Sequence, residues 1–491
     1  LRSREFIRPP LSWKSLYIES PPFGEGILKG WDVVIVGAGP SGLFSAIEIK
    51  KIVPEAEVLV IEMGKDLEER RCPLKSIGRC AVCQICDIVS GFGGAGTFSD
   101  GKLNLTKDVG GDLASLIGER EFWDLLDYVD DSFLKLGAPK EVHGEDQEEV
   151  ERLRRKALKA GLLLVPFRIR HMGSDGGYRV LMNLRKLVDE MGIEIKFGAT
   201  ASKILTEGKR VSGVSLSNGE EIMAKYVVLA TGRVMESWLV SEMRRLGVKV
   251  DGGKVDLGVR VEVPYEVMRE YTDVLYEPKL IYYSDTFDDK VRVFCVNPRG
   301  EVVTESYWGI VTVNGISRND FKTENTNFAI LVTTEFTAPY RDTISYALSI
   351  AKMANEIAGN QPIVQRLGDL KRGRRSTEAR LSRSIVKPTL PGSTPGDLSF
   401  VLPFRYLKDI LEMLRAMNEI MPGIYSDHTL LYGVEVKLYG AKLDLKPNLE
   451  TRVIEGLYAG GDGAGVSRGL IQAAASGVWI GRDIARKLSH G

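Results

Sequence analysis

Between Trp31 and Glu62 the chain reads WDVVIVGAGPSGLFSAIEIKKIVPEAEVLVIE, and this stretch limits the fold more than any other. Asp32 to Val36 is rich in Val, the composition of a strand buried on both faces. It ends in Gly37-Ala38-Gly39-Pro40-Ser41-Gly42, after which apolar residues recur at helical spacing through Leu43, Ala46, Ile47 and Ile49. A second buried strand, Val58 to Ile61, closes on Glu62. Strand, glycine loop, helix and strand place G-x-G-x-x-G in the context that dinucleotide binding requires. Gly37 makes the tight turn, Gly39 admits a pyrophosphate to the backbone, and Gly42 lets helix and strand pack closely. Pro40 and Ser41 open a helix whose free N–H groups attract phosphate. The Glu62 carboxylate stands where ribose hydroxyls donate. The bland alternative is an ordinary α/β turn.

With 491 residues the chain can form two or three domains with substantial cores. Lys+Arg and Asp+Glu both number 66, so the net charge is zero, which argues against a nucleic-acid or membrane-surface partner. No apolar run approaches the length of a membrane span. Residues 1–30 read as a Pro-rich leader without the apolar core of a secretion signal, and a cytoplasmic location is the expectation.

Four of the five cysteines, Cys72, Cys80, Cys83 and Cys86, follow the second strand. Cys80-x2-Cys83-x2-Cys86 has iron–sulfur spacing, with Cys72 able to supply a fourth thiolate from upstream. Four thiolates equally suit a structural zinc, and free thiols are ordinary in a reducing compartment. The spacing leaves all three readings open. The glycine loop Gly91 to Gly96 comes next, then Thr97-Phe98-Ser99-Asp100-Gly101-Lys102. Gly96 permits close backbone approach to a ligand, and Ser99 and Lys102 carry donors for phosphate or flavin oxygens. The alternative there is a surface turn.

Helical patterns over 113–136 and 148–160 read as an excursion from the cofactor domain. The strand Tyr226 to Leu229 ends in Ala230-Thr231-Gly232. Segments VRVEV, KLIYYS, VRVFCV, GIVTVNG and FAILVTT between Val259 and Thr333 predict an inserted, mostly antiparallel domain. The basic stretch from Lys371 to Arg383 is either a solvated face or an anion site. Near the C-terminus, GLYAGGDGAGVSRGLIQAAASG sets a short strand against Gly461-Asp462 and then a small-residue helix that includes Gly469, Leu470 and Ile471.

The glycine unit, the Thr231-Gly232 strand end and the Gly461-Asp462 motif together resemble FAD-dependent oxidoreductases of the glutathione-reductase structural type. The cysteine segment, GGAGTFSDGKL, and FCVNPRGEVV around Cys295 resemble, more closely, poorly characterised bacterial and archaeal FAD-dependent dehydrogenases. The likeness covers most of Trp31 to Leu488. It implies an α/β fold, a Rossmann-like FAD-binding domain with an inserted mixed or antiparallel β substrate domain. The expected segments are 31–112, 161–258 and 431–491 for the cofactor domain, 113–160 for the helical excursion and 259–430 for the cap. It also implies that Asp462 binds the ribityl or pyrophosphate part of FAD, with the following helix aimed at the flavin.

The expected activity is hydride exchange between the flavin and an unidentified unsaturated or anionic substrate. The alternative is an electron carrier that works through a cysteine-bound cluster within a larger complex. No second G-x-G-x-x-G follows a strand, so ferredoxin, a cluster or transiently docked NAD(P)H would supply reducing equivalents. His171, His428 and Glu435 are the candidates for proton transfer.

Overall fold

The computed structural model describes residues 30–78, 80–251, 254–336, 339 and 342–490. All but the last residue of the expected leader lies outside them.

Parallel strands Glu194–Phe197, Val58–Glu62, Trp31–Val36 and Glu221–Leu229 lie side by side in that order. Leu457–Ala459 pairs in parallel with the last residues of Glu221–Leu229. The early residues of that strand instead form an antiparallel meander with Arg210–Leu216 and Ala201–Glu207. Val33 to Val36 and Val58 to Ile61 are wholly buried, as strands covered on both faces must be. Parallel strands end on one edge, so Gly37, Glu62, Ala230 and Gly460 converge there. Helices Pro40–Ile52, Glu119–Lys135 and Leu470–His490 share the core of this sheet.

The second sheet has eight strands in the order Thr394–Pro395, Ile363–Arg366, Leu430–Leu438, Val255–Pro264, Asn325–Thr334, Lys290–Asn297, Lys279–Tyr283 and Leu163–Val165. All its pairings are antiparallel except that of the first two strands. Val255–Pro264 is central and buried along nearly all its length, and its residues alternate between two environments. Val255, Leu257, Val259, Val261 and Val263 enter an apolar core with helices Tyr265–Leu275, Thr343–Ala358 and Phe404–Asn418. The opposite face carries Asp256, Arg260 and Glu262, each matched to polar partners. The hairpin of Glu301–Tyr307 and Ile310–Ile316 forms a separate ladder.

Three elements fall elsewhere than the sequence segments suggest. Leu163–Val165 pairs with Lys279–Ile281 and is the outer strand of the second sheet. Helix Gln147–Lys159 buries Val150, Leu153 and Ala157 in the second core, whereas Glu119–Lys135 belongs to the first. Leu430–Leu438 crosses the expected boundary at 430/431 and lies inside the second sheet. In each case the local pattern identifies the element and only a distant partner assigns it. No helix among the described residues is long and apolar enough to cross a membrane.

Candidate functional site

At the edge of the parallel sheet Gly37 has φ +110°, and a Cβ there would lie 2.3 Å from the Ala230 carbonyl oxygen. A Cβ at Gly42 would lie 2.0 Å from the oxygen of Gly37, so this glycine supports the loop from behind. A Cβ at Gly39 meets nothing within 4 Å; the backbone there is open to the cavity. The Glu62 carboxylate ties three segments together, accepting from the N–H groups of Ala38 (2.9 Å), Gly64 (2.8 Å) and Gly91 (2.9 Å).

The C-terminal motif is locked onto this loop. The N–H of Gly461 donates to Ser476 Oγ at 3.1 Å, and that oxygen is 3.1 Å from Ser41 Oγ. Asp462 accepts from Ser467 Oγ at 3.0 Å and lies 3.6 Å from Arg233, the residue after Thr231-Gly232. Burial pushes the Asp462 carboxyl above the usual range, against the pull of Arg233 and Ser467. Gly469 and Leu470 line the cavity where the last helix begins, while Ile471 turns into the core.

The loop after the second glycine cluster connects to the cap. Lys102–Leu105 pairs with Arg168–His171, which brings His171 beside Asp100. His171 Nε2 lies 3.0 Å from Asp100 Oδ1, 2.7 Å from Tyr276 Oη and 3.2 Å from Ser317 Oγ, and its ring stacks on Tyr276. Lys102 Nζ is held between Asp100 (2.9 Å) and Glu277 (2.7 Å). Burial pushes the Asp100 carboxyl up, but Lys102, His171 and Ser317 outweigh it and hold it well below the usual carboxylate range. For Lys102 burial favours the neutral amine, and the two carboxylates reverse that, holding it charged. Ser99 Oγ is turned back onto the Gly96 carbonyl at 2.8 Å.

These parts enclose a cavity of about 410 Å³. It runs from Gly37, Gly39, Pro40, Ser41 and Glu62, past Gly96, Ser99, Lys102, Thr231, Gly232, Gly461 and Asp462, to a wall supplied by the cap. That wall contains Glu277, Lys279, Arg292, Phe294, Cys295, Tyr307, Asn314, Lys437 and Tyr439. The sequence carries no signal for most of these residues, because they sit on ordinary alternating strands whose facing side depends on tertiary pairing.

None of the three candidates for proton transfer lines the cavity. His171 stands one layer behind Asp100. Glu435 is fully buried, 3.3 Å from both Arg260 and Lys437, behind the cap wall. His428 lies outside the cavity lining, where its Nδ1 accepts from the Ile385 N–H at 3.3 Å. Among the described residues, no three His, Cys, Asp or Glu side chains are placed to hold a metal ion, and all five cysteines are free. Burial raises the thiols of Cys72, Cys80 and Cys86. Within the basic stretch Lys371 and Arg372 pair with Asp427, and Arg374 and Arg380 with Asp369. None of these residues lines the cavity.

FAD fits this site on two observations. The buried Ser90 Oγ, Asn104 Oδ1 and Thr231 Oγ1 face the cavity without a hydrogen-bond partner among the described residues, and buried polar atoms require one. The open space at Gly39 is also what close approach of a pyrophosphate needs.

Three family models match the chain. Residues 165–265 match pyridine nucleotide-disulphide oxidoreductase, 254–438 match FAD-dependent protein, C-terminal domain-like, and 396–491 match glucose inhibited division protein A. The second of these spans the cap sheet from Val255 to Leu438. The chain is an FAD-dependent oxidoreductase. A curated relative of this oxidoreductase is an uncharacterized protein of Clostridium beijerinckii, 26% identical over 494 residues, covering 96% of this chain and 83% of the relative. A 55-residue stretch is 34% identical to hydroxyneurosporene desaturase of Cereibacter sphaeroides, 11% of each chain. Similar solved structures include 3-ketosteroid-delta4-(5alpha)-dehydrogenase from Rhodococcus jostii, with TM-score 0.40, 13% identity and coverage of 94% and 99%. Another is glycine oxidase from Geobacillus kaustophilus, with TM-score 0.39, 11% identity and coverage of 93% and 95%.

Proposed function

We propose that this oxidoreductase exchanges a hydride with a small organic substrate held between the cofactor motifs and the cap wall. The observation that carries the reading is one continuous cavity, lined at one end by Gly37, Glu62 and Asp462 and at the other by Lys279, Arg292 and Tyr439. Bound FAD supplies two-electron chemistry at the flavin N5. The chain's own residues do the rest. Glu62 and the glycine loop fix the dinucleotide end, and the start of helix Leu470–His490 presents its positive end to the cavity. Asp100, held ionised beside Lys102, orients His171 and Ser317 at the edge of the cavity, and these two in turn hold Tyr276. Phe294 and Tyr439 exclude water from the reacting end.

The purified protein is expected to carry about one FAD per chain and, once reduced without oxygen, to be reoxidised by members of a panel of unsaturated carbonyl and carboxylic compounds. Reoxidation by one-electron acceptors alone would overturn the reading in favour of an electron carrier. That second reading, with an iron–sulfur cluster on Cys72, Cys80, Cys83 and Cys86 and ferredoxin as donor, rests on spacing alone. Iron, sulfide and zinc analysis of anaerobically purified protein tests it, and anaerobic titration with NAD(P)H tests direct reduction by nicotinamide. A cytoplasmic location is part of the proposal, in keeping with five unpaired thiols.

A further inference from the structure

Most charged groups on the cap wall have a partner. Lys102 is held by Asp100 and Glu277, and Lys437 by Glu435 and Glu305. Arg292 donates through Nε to Asp256 at 2.7 Å, and Arg468 stacks on the Tyr439 ring at 4.3 Å and lies 3.5 Å from Asp112. Lys279 differs. It lines the cavity and is 7% exposed, yet its ammonium has no hydrogen bond or ion pair among the described residues. Its ammonium lies over the face of Phe294, 5.3 Å from the ring centre.

Both neighbouring carboxylates hold other groups, and Asp256 Oδ1 has no hydrogen-bond partner among the described residues. Glu277 Oε2 faces Lys102, and Oε1 accepts from the Cys295 N–H at 3.2 Å. Asp256 Oδ2 accepts from Arg292 and from Tyr439 Oη. A buried ammonium without a partner is costly, and a charged oxygen in a dry site recovers more of that cost than a neutral one. One unpaired cation matches one negative charge.

Resting on the proposed substrate site, we infer that Lys279 is the receptor for a carboxylate on the substrate, which lies at the cap end of the cavity with Arg292 behind it. A dianion such as sulfate or a doubly ionised phosphate would bring a second charge that no other unpaired cation among the described cavity residues meets.

The groups that act on Lys279 give this contact a pH dependence. Burial and the like charges of Arg292 and Lys290 push its pKa down to about 8, against the pull of Glu277 and Asp256. The protonated form binds the anion, so affinity falls by about tenfold per pH unit above that value.

The test uses the FAD-loaded full chain, titrated with benzoate, acetate and sulfate and followed by the flavin absorption spectrum. Expected is a saturable perturbation by a carboxylate at pH 6.5, weaker at pH 9.5. Lys279→Met should weaken it by about tenfold or more, and Lys279→Arg should retain it without the loss at high pH. Equal affinity in Lys279→Met, a flat pH profile, preference for sulfate, or no response to any carboxylate would each overturn the inference. Failure of the wider reading has a different sign, a purified protein that carries no FAD. Both variants are checked for folding by thermal unfolding.

Discussion

Gly477 rests against the backbone of Ser41, from the other end of the chain, so closely that a Cβ on it would lie 2.1 Å from the Ser41 carbonyl oxygen. One turn later Gly481 meets Ser45 in the same way, with 2.8 Å from an added Cβ to the Ser45 oxygen. Ser45 Oγ in turn donates to the Gly477 carbonyl at 3.0 Å. The two helices that carry the halves of the candidate cofactor site are therefore in near backbone contact. Their relative placement sets the distance between Gly39 and Asp462.

Gly477→Ala should force these helices apart. Overpacking of a tight backbone contact costs about 1–3 kcal/mol, and the displacement acts directly on the cofactor cradle. The expected outcome is a lower melting temperature together with a lower FAD-to-protein ratio. Gly177→Ala is the control: it lies inside helix Gly173–Glu190 and an added Cβ there meets nothing within 4 Å. It should leave both quantities unchanged or raise stability slightly.

Glu62→Gln keeps the size of the side chain but turns one acceptor oxygen into an N–H donor that faces backbone donors. Glu62 accepts from Ala38, Gly64 and Gly91, so at least one of these N–H groups loses its partner inside the protein. A loss of about 1–3 kcal/mol in unfolding free energy is expected. The loop that Glu62 braces should also bind FAD more weakly, which fluorescence of released flavin would measure.

Glu236 predicts a pH effect on stability. Burial pushes its carboxyl up to about 7, although the Ala441 N–H donates to Oε1 at 3.0 Å and Arg233 lowers it. Oε2 is buried without a partner among the described residues. The folded state thus holds a proton that the unfolded chain releases near pH 4.5. Stability from this group is complete below that pH and is lost as pH rises through about 7, by roughly 3 kcal/mol in all. Glu236→Gln should flatten the fall in urea midpoint between pH 5 and pH 8. An identical slope in the variant would show that the group titrates normally.

Lys279 has the opposite sign. Its folded pKa of about 8 lies below the ordinary value, so the folded state is favoured at high pH and loses that advantage as pH falls. Lys279→Met should raise the unfolding free energy of the ligand-free protein at pH 7, by up to roughly 3 kcal/mol. Stability gained and carboxylate affinity lost in one variant is the pattern expected of a residue kept for binding.

The cofactor half of this protein was legible because its demands are local. Gly37, Gly39, Gly42, Glu62 and Asp462 each answer to a turn, a phosphate or a strand end within a few residues, and they line or brace one cavity. The reacting half was not. Lys279, Arg292 and Tyr439 occupy strands or strand ends whose pattern reads only as in and out, and the pairing of Lys279–Tyr283 with Leu163–Val165 and Lys290–Asn297 decides which face meets the cofactor. His171 and Glu435 stood out by residue type, yet the three-dimensional structure puts each one layer behind the wall. Sequence determined the cofactor class and the loops that meet at one cavity, since backbone geometry and apolar periodicity act over short range. Tertiary structure decided which side chains face the reacting end and which charge was left without a partner, because both depend on strands that pair far apart in the chain.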